Sequence, residues 1–110
     1  GPFMAAGASE VDWEGAEHIR AFASSDWAER GFCERCGSHL FYRVTVEGPH
    51  QGAYELPVGL FDDLTGLRLA QEIYVDAQPG AYAFAPGLRR LTEAEWLAKL
   101  GVPAMGEGAA

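Results

Sequence analysis

The sequence predicts a mainly β domain, built of small antiparallel sheets and closed by one short C-terminal helix. Three observations predict it. Fourteen Gly and six Pro are spread along 110 residues, which suits short strands joined by turns. Leu40–Val46 alternates with a period of two and is rich in β-branched and aromatic side chains. Helix-start signals gather at one place only, from Thr92 onward. Strands first and one helix last is too helix-poor an order for a doubly wound sheet.

The elements follow in order. Glu10–Trp13 alternates polar and apolar and reads as a strand, with Glu14-Gly15 as its turn and His18–Ala23 as its partner. Arg30–Cys33 leads into a cysteine turn. In Leu40–Val46, residues Leu40, Tyr42, Val44 and Val46 take one face, and Phe41, Arg43 and Thr45 the other. Residues 47–52 read as a hairpin loop and Tyr54–Leu60 as the next strand, its pairing limited by Pro57. Phe61–Gly66 is a turn, Leu69–Val75 a strand, and Gln78-Pro79-Gly80 its break. Thr92-Glu93-Ala94-Glu95 is a capping box, flanked by Leu91 and Trp96 at hydrophobic-staple positions. Leu97 and Leu100 continue the apolar side, Gly101 and Pro103 stop the helix, and the tail from Ala104 reads as frayed.

Length predicts a single domain over residues 1–110. A hydrophobic content of 48% with three Trp, four Tyr and six Phe predicts a globular chain. The net charge of −8 argues against nucleic acid, whose binding needs clustered Lys and Arg, and against an anionic membrane surface. No apolar run approaches the roughly 20 residues of a membrane span, and no secretory leader is visible. Two closely spaced cysteines suit a metal or redox pair better than a secreted disulfide framework, so a cytoplasmic location is expected. Gly1-Pro2 reads both as a tag scar before Met4 and as native sequence.

Cys33 and Cys36 are the candidate metal ligands. They are the chain's two cysteines, three positions apart, and Gly37 follows directly. That spacing aims both sulfurs at one point and supplies half of a tetrahedral zinc shell. A redox dithiol and two unrelated core cysteines are the alternatives. The redox reading expects a helix N-terminus beside the pair, whereas Gly37-Ser38 leads into a strand. His39 is a candidate third ligand, against its plainer reading as a polar residue at a strand start. His18 and His50 stand alone. Glu10, Asp12, Glu14 and Glu17 read as a solvated face, Asp62-Asp63 as a turn, and Ser24-Ser25-Asp26 as a turn rather than a catalytic serine site.

The run Ser24–Tyr42, containing Arg30-Gly31-Phe32-Cys33-Glu34-Arg35-Cys36-Gly37-Ser38, resembles the glutathione-dependent formaldehyde-activating enzyme family, whose superfamily includes centromere protein V. Gly59–Asp63, Glu72-Ile73-Tyr74 and Gly1-Pro2-Phe3 support the likeness. The resemblance implies a β-tent fold, small sheets meeting around a zinc knuckle. It implies carbon–sulfur lyase chemistry in which the thiol of glutathione adds to formaldehyde to give S-hydroxymethylglutathione, with a small thiol as partner. It also implies two zinc ions. One is structural, held by an upstream Cys-x-Cys and by the pair matched here by Cys33 and Cys36. The other is catalytic, held by an upstream Cys-x-Cys-x-x-Cys. This sequence holds neither upstream motif, so no residue inherits a catalytic role. A C-terminal portion of a longer protein, a shortened inactive relative that binds a partner, and a shell completed by a second chain would each explain this. The first is expected, because Gly1-Pro2-Phe3 reads as family sequence. A sheet shorn of its first strands would expose an edge, so homodimerisation or strand exchange is expected as well.

Overall fold

A computed structural model describes residues 2–102. Gly1, the helix stop expected at Pro103 and the tail from Ala104 lie outside the described residues. Among the described residues the fold is mainly β, with one short C-terminal helix and no closed barrel. By its contacts the chain divides after Thr65 into two compact units. Among the described residues no helix is long and apolar enough to cross a membrane.

The first unit is a five-stranded antiparallel sheet. Its strands are β1 (Ala5–Ala8), β2 (Ile19–Ala23), β3 (Ala28–Cys33), β4 (His39–Val44) and β5 (Tyr54–Pro57), in the order β1-β5-β4-β3-β2. Phe41 is the aromatic centre of one face, with rings 5.7 Å from Trp13 and 5.2 Å from Tyr54. Gly31 lies directly opposite Phe41 across the β3–β4 ladder, and the ring lies over it. Ala28 and Val44 pair on the other face and are also buried. The register slips by one residue between Gly31 and Phe32, where Phe32 pairs with His39 and Leu40 is passed over. A bulge of this kind re-aims the flanking side chains, and it puts His39 on the face that carries Arg30 and Tyr42.

Glu10–Trp13 is not a strand. Its polar residues are solvated as expected, but Trp13 leaves the alternation to pack on Phe41 and Tyr54. The partner of Ile19–Ala23 is therefore β3, and the edge beside β5 is filled by the small residues of β1. Tyr54–Leu60 ends as a strand at Pro57, where a short 3-10 helix, Val58–Leu60, takes over. A proline lacks the N–H that would carry the ladder on.

The second unit holds β6 (Gln71–Ile73), β7 (Arg89–Leu91) and α1 (Glu93–Leu100). β6 and β7 pair in parallel, unlike the antiparallel ladders of the first unit. The strand expected over Leu69–Val75 ends at Ile73 because Tyr74 adopts a left-handed backbone, φ 59°. The helix begins as its capping box predicts. The Glu95 N–H donates to Thr92 Oγ1 at 3.2 Å, and the Thr92 N–H donates to Glu95 Oε1 at 2.8 Å. Asp76 Oδ1 accepts a third free N–H, from Glu93, at 3.0 Å. Leu91, Leu97, Leu100 and Val102 form this unit's buried apolar cluster. Gly101, at φ 84°, ends the helix in the left-handed conformation that glycine tolerates best.

Candidate functional site

The cysteine pair sits between two strands, as the sequence suggests, and not at a helix N-terminus. Cys33 is the last residue of β3, and β4 starts at His39. Backbone bonds fix the turn between them. The Cys33 N–H donates to Ser38 O at 2.9 Å and the Gly37 N–H to Cys33 O at 2.7 Å. Gly37 closes the loop at φ 78°, a conformation that would strain a residue carrying a Cβ. The turn is tied to β2 as well. The Glu34 N–H donates to His18 O at 2.9 Å, and the Glu34 carboxylate meets Arg20 Nη2 at 2.9 Å.

Both thiols are free, Cys33 half-buried and Cys36 exposed. The Cys36 Sγ lies 3.2 Å from Ser38 Oγ, which pulls its thiol below the ordinary value; the neighbouring Cys33 sulfur adds to this. An eased thiolate suits metal ligation. Among the described residues no group of three or more His, Cys, Asp or Glu is placed to hold a metal ion. The residues therefore fit one half of a four-ligand zinc shell and do not close one.

His39 shares an edge-to-face contact with Phe3 at 5.2 Å. Burial first, and the Arg30 charge second, keep its imidazole below the usual range. His18 reaches Glu34 at 3.8 Å and Glu17 at 3.7 Å. His50 and the carboxylates Glu10, Asp12, Glu14 and Glu17 are exposed. Asp63 Oδ1 accepts the Thr65 N–H at 2.8 Å, and Ser25 Oγ accepts the Trp27 N–H at 3.3 Å, so both segments are turns built by their own side chains. None of these joins the cysteine pair.

Sequence reasoning missed a row that crosses the sheet. Phe22 faces Arg30, Arg30 faces Tyr42, Tyr42 faces Glu55, and Glu55 faces Gly7. Residues in direct register share a face, so this row runs over all five strands. The Arg30 guanidinium lies 5.1 Å from the Tyr42 ring centroid and 6.0 Å from that of Phe3. Among the described residues no carboxylate forms an ion pair with it. Burial pushes the Glu55 carboxyl above its ordinary range, with His50 opposing the shift weakly. Burial likewise raises Tyr42. Only the register of all four ladders exposes this alignment, and no local motif announces it.

Glu55 yields a prediction with a definite sign. A raised carboxyl holds its proton more tightly in the folded protein than in the unfolded chain. The stability this gives is complete below the unfolded value and is lost as pH rises through the folded one. Glu55→Gln is therefore expected to raise the melting temperature at pH 7 and to leave it unchanged below roughly pH 4, near the ordinary carboxylate value. Paired thermal melts across that range check it, and a variant less stable at pH 7 would refute it.

In the second unit Arg90 bridges Glu72 at 3.5 Å and donates to Gln78 Oε1 at 3.0 Å, beside an open groove of about 340 Å³. Its charges are satisfied internally.

The family of the glutathione-dependent formaldehyde-activating enzyme matches the chain over residues 3–77. That stretch takes in β1 to β6 and the cysteine turn. A Schizosaccharomyces pombe protein described as an uncharacterized lyase is 30% identical over 69 residues, which cover 63% of this chain and 48% of the relative. The match thus spans about half the length of that curated relative. No solved structure matches the chain. A family match over well more than half of the chain, taking in the β3–β4 cysteine turn, decides the assignment: the chain belongs to the glutathione-dependent formaldehyde-activating enzyme family.

Proposed function

We propose that this chain serves carbon–sulfur lyase chemistry of the kind its family is named for, acting on an adduct of glutathione and formaldehyde. In the forward sense the thiol sulfur bonds to the carbonyl carbon, and the thiol proton passes to the carbonyl oxygen, giving S-hydroxymethylglutathione. The reverse breaks the same carbon–sulfur bond. Cys33 and Cys36 are the proposed thiolate ligands of a structural zinc, and the remaining donors come from outside the described residues. Zinc at such a site can fix a turn, and elsewhere it can hold a thiol as thiolate or polarise a carbonyl. No residue of the chain is assigned a catalytic role.

The observation that carries this reading is the backbone-locked turn that sets both sulfurs between β3 and β4, within the stretch matched to the family. A second reading is a non-catalytic zinc-stabilised β module. The count of two sulfur donors favours it. One experiment separates the readings: metal analysis of the protein with its oligomeric state, alongside NMR detection of S-hydroxymethylglutathione from glutathione and formaldehyde. Expected is substoichiometric zinc in a monomer, or about one zinc per two chains through four thiolates. Adduct formation above the uncatalysed rate supports the lyase, and zinc without it supports the module. One tight zinc per monomer overturns the two-donor count. A reversible Cys33–Cys36 disulfide with no zinc would instead make the chain a redox protein.

A further inference from the structure

β2 is an edge strand of the five-stranded sheet, and its two halves are guarded differently. The Glu34 N–H donates to His18 O and the Cys33 N–H to Ser38 O, each at 2.9 Å. Backbone groups alternate in direction along an antiparallel ladder. With Ile19 opposite Cys33, those of Arg20 and Phe22 therefore point to β3, and those of Ile19, Ala21 and Ala23 point away from it. The groups of Ile19 are taken. Its N–H donates to Ala16 O, and its carbonyl accepts Arg20 Nη1 at 3.1 Å. The outward N–H and C=O groups of Ala21 and Ala23 have no partner among the described residues.

Natural sheets blunt an edge with charge, proline or a bulge. Arg20 and the 3-10 turn Ala16–His18 do so for the first half of β2. Ala21–Ala23 has none of these. It presents Phe22 instead, 64% exposed and the most exposed large apolar side chain among the described residues. An open edge alone names no partner; the pattern along β2 names a second copy. Two copies running antiparallel about a two-fold axis at Phe22 set Ala21 against the partner's Ala23, and Ala23 against the partner's Ala21. Each free N–H then meets a free carbonyl. Phe22 faces the partner's Phe22 in the close, non-hydrogen-bonded position, about 4.5 Å apart at Cα, where cross-strand aromatic pairs interact. Arg20 faces the partner's Ser24, so no like charges are opposed, which matters between two chains of net charge −8. A register centred on Ala21 would set Ala23 against the partner's Ile19, whose groups are taken. The other edge strand, β1, has only Ala and Gly side chains to bury.

We propose that β2 is a self-association surface, through which two copies of this chain join edge to edge into one continuous antiparallel sheet with Phe22 on the two-fold axis. The contact is isologous, so it closes at a dimer. It is distinct from a zinc shared between chains. Cys33 lies opposite Ile19, three residues from the axis and about 10 Å along the strand. The two-fold sends the partner's cysteine pair the other way, so about 20 Å separates the two pairs. One zinc, bonded to sulfur at about 2.3 Å, does not bridge that gap.

The test is sedimentation equilibrium of the whole chain over a range of concentrations, with reductant and a chelator present. Neither metal nor turnover enters, so the outcome is independent of the lyase reading. A reversible monomer–dimer equilibrium is expected. Ala21→Pro should abolish the dimer, because it deletes a donor that the single chain does not use, and an edge strand tolerates proline there. Phe22→Glu leaves the backbone intact and should do the same by setting like charges opposite each other. Phe22→Ser should weaken the dimer at least about tenfold, since both rings of the pair are lost at once. Ala5→Pro, the matching change on β1, should leave it unchanged. Under oxidising conditions Phe22→Cys should give a covalent dimer, joined through the two introduced sulfurs by mass-spectrometric mapping, and faster than Ala21→Cys does. A wild type that stays monomeric up to roughly 1 mM, a dimer that survives both Ala21→Pro and Phe22→Glu, a dimer that forms only when zinc is supplied, or faster linking through Ala21→Cys would each overturn the proposal.

Discussion

Gly31→Ala is expected to cost about 3 kcal/mol of folding stability, at the upper end of what overpacking a core does. The position needs no special backbone angle; its demand is for space. An added Cβ would fall inside the contact shells of Phe41 Cε2 and Cζ, and 2.7 Å from Cδ2. Phe41 cannot swing aside freely. It is 5% exposed and held between Trp13 and Tyr54, so its displacement breaks two ring contacts. For a domain near this size about 1 kcal/mol moves the melting temperature by roughly 4–8 °C, so a drop of about 12–24 °C is expected. Gly59→Ala is the control, because nothing lies within 4 Å of its added Cβ. Adding Phe41→Leu to Gly31→Ala should recover part of the loss by clearing the ring. A Gly31→Ala protein melting within about 2 °C of wild type, at roughly half a kcal/mol or less, would show that Phe41 does not close over Gly31.

That glycine shows where the sequence was legible and where it was not. Local chemistry announced the elements that local chemistry builds. The Thr92/Glu95 capping box, the Gly37 turn and the Asp63 turn each satisfy backbone groups within a few residues, and all three form as read. Elements fixed by distant partners were opaque. β1 is Ala-Ala-Gly-Ala, which has no strand preference of its own, and it is a strand because β5 offers an edge. Glu10–Trp13 has the alternation of a strand but no ladder to join, and Trp13 is spent on the Phe41 cluster. β7, over Arg89–Leu91, is as short and as weakly marked as β1. The candidate site divides in the same way. Cys33 and Cys36 are close in sequence and could be seen together at once. Arg30, Tyr42 and Glu55 come from three strands, and their alignment follows from register alone.

On the zinc reading, Cys33→Ser and Cys36→Ser should each reduce bound metal to background. The effect is all-or-none because a thiolate shell that lacks one sulfur is not a weaker version of the same site; a serine hydroxyl stays protonated near neutral pH and is a poor zinc ligand. The hydrogen bonds that shape the turn come from the backbone, through Cys33 N–H to Ser38 O and Gly37 N–H to Cys33 O. Serine preserves both. The apo turn should therefore persist, and loss of metal should not be confounded with loss of the β3–β4 pair, which Phe41 and Val44 hold by burial. Three measurements read the outcome. Elemental analysis gives zinc per chain, cobalt substitution gives the thiolate charge-transfer band, and far-ultraviolet circular dichroism gives the sheet. Loss of zinc and of the band with the sheet retained is the expected result. If zinc is shared between two chains, the same substitutions should also dissociate the dimer, and chelation of the wild type should do so too. Wild-type zinc content in either variant would remove Cys33 and Cys36 from the ligand set. Loss of the sheet together with the metal would show instead that the pair holds up the first unit, a heavier structural duty than a turn between two strands implies.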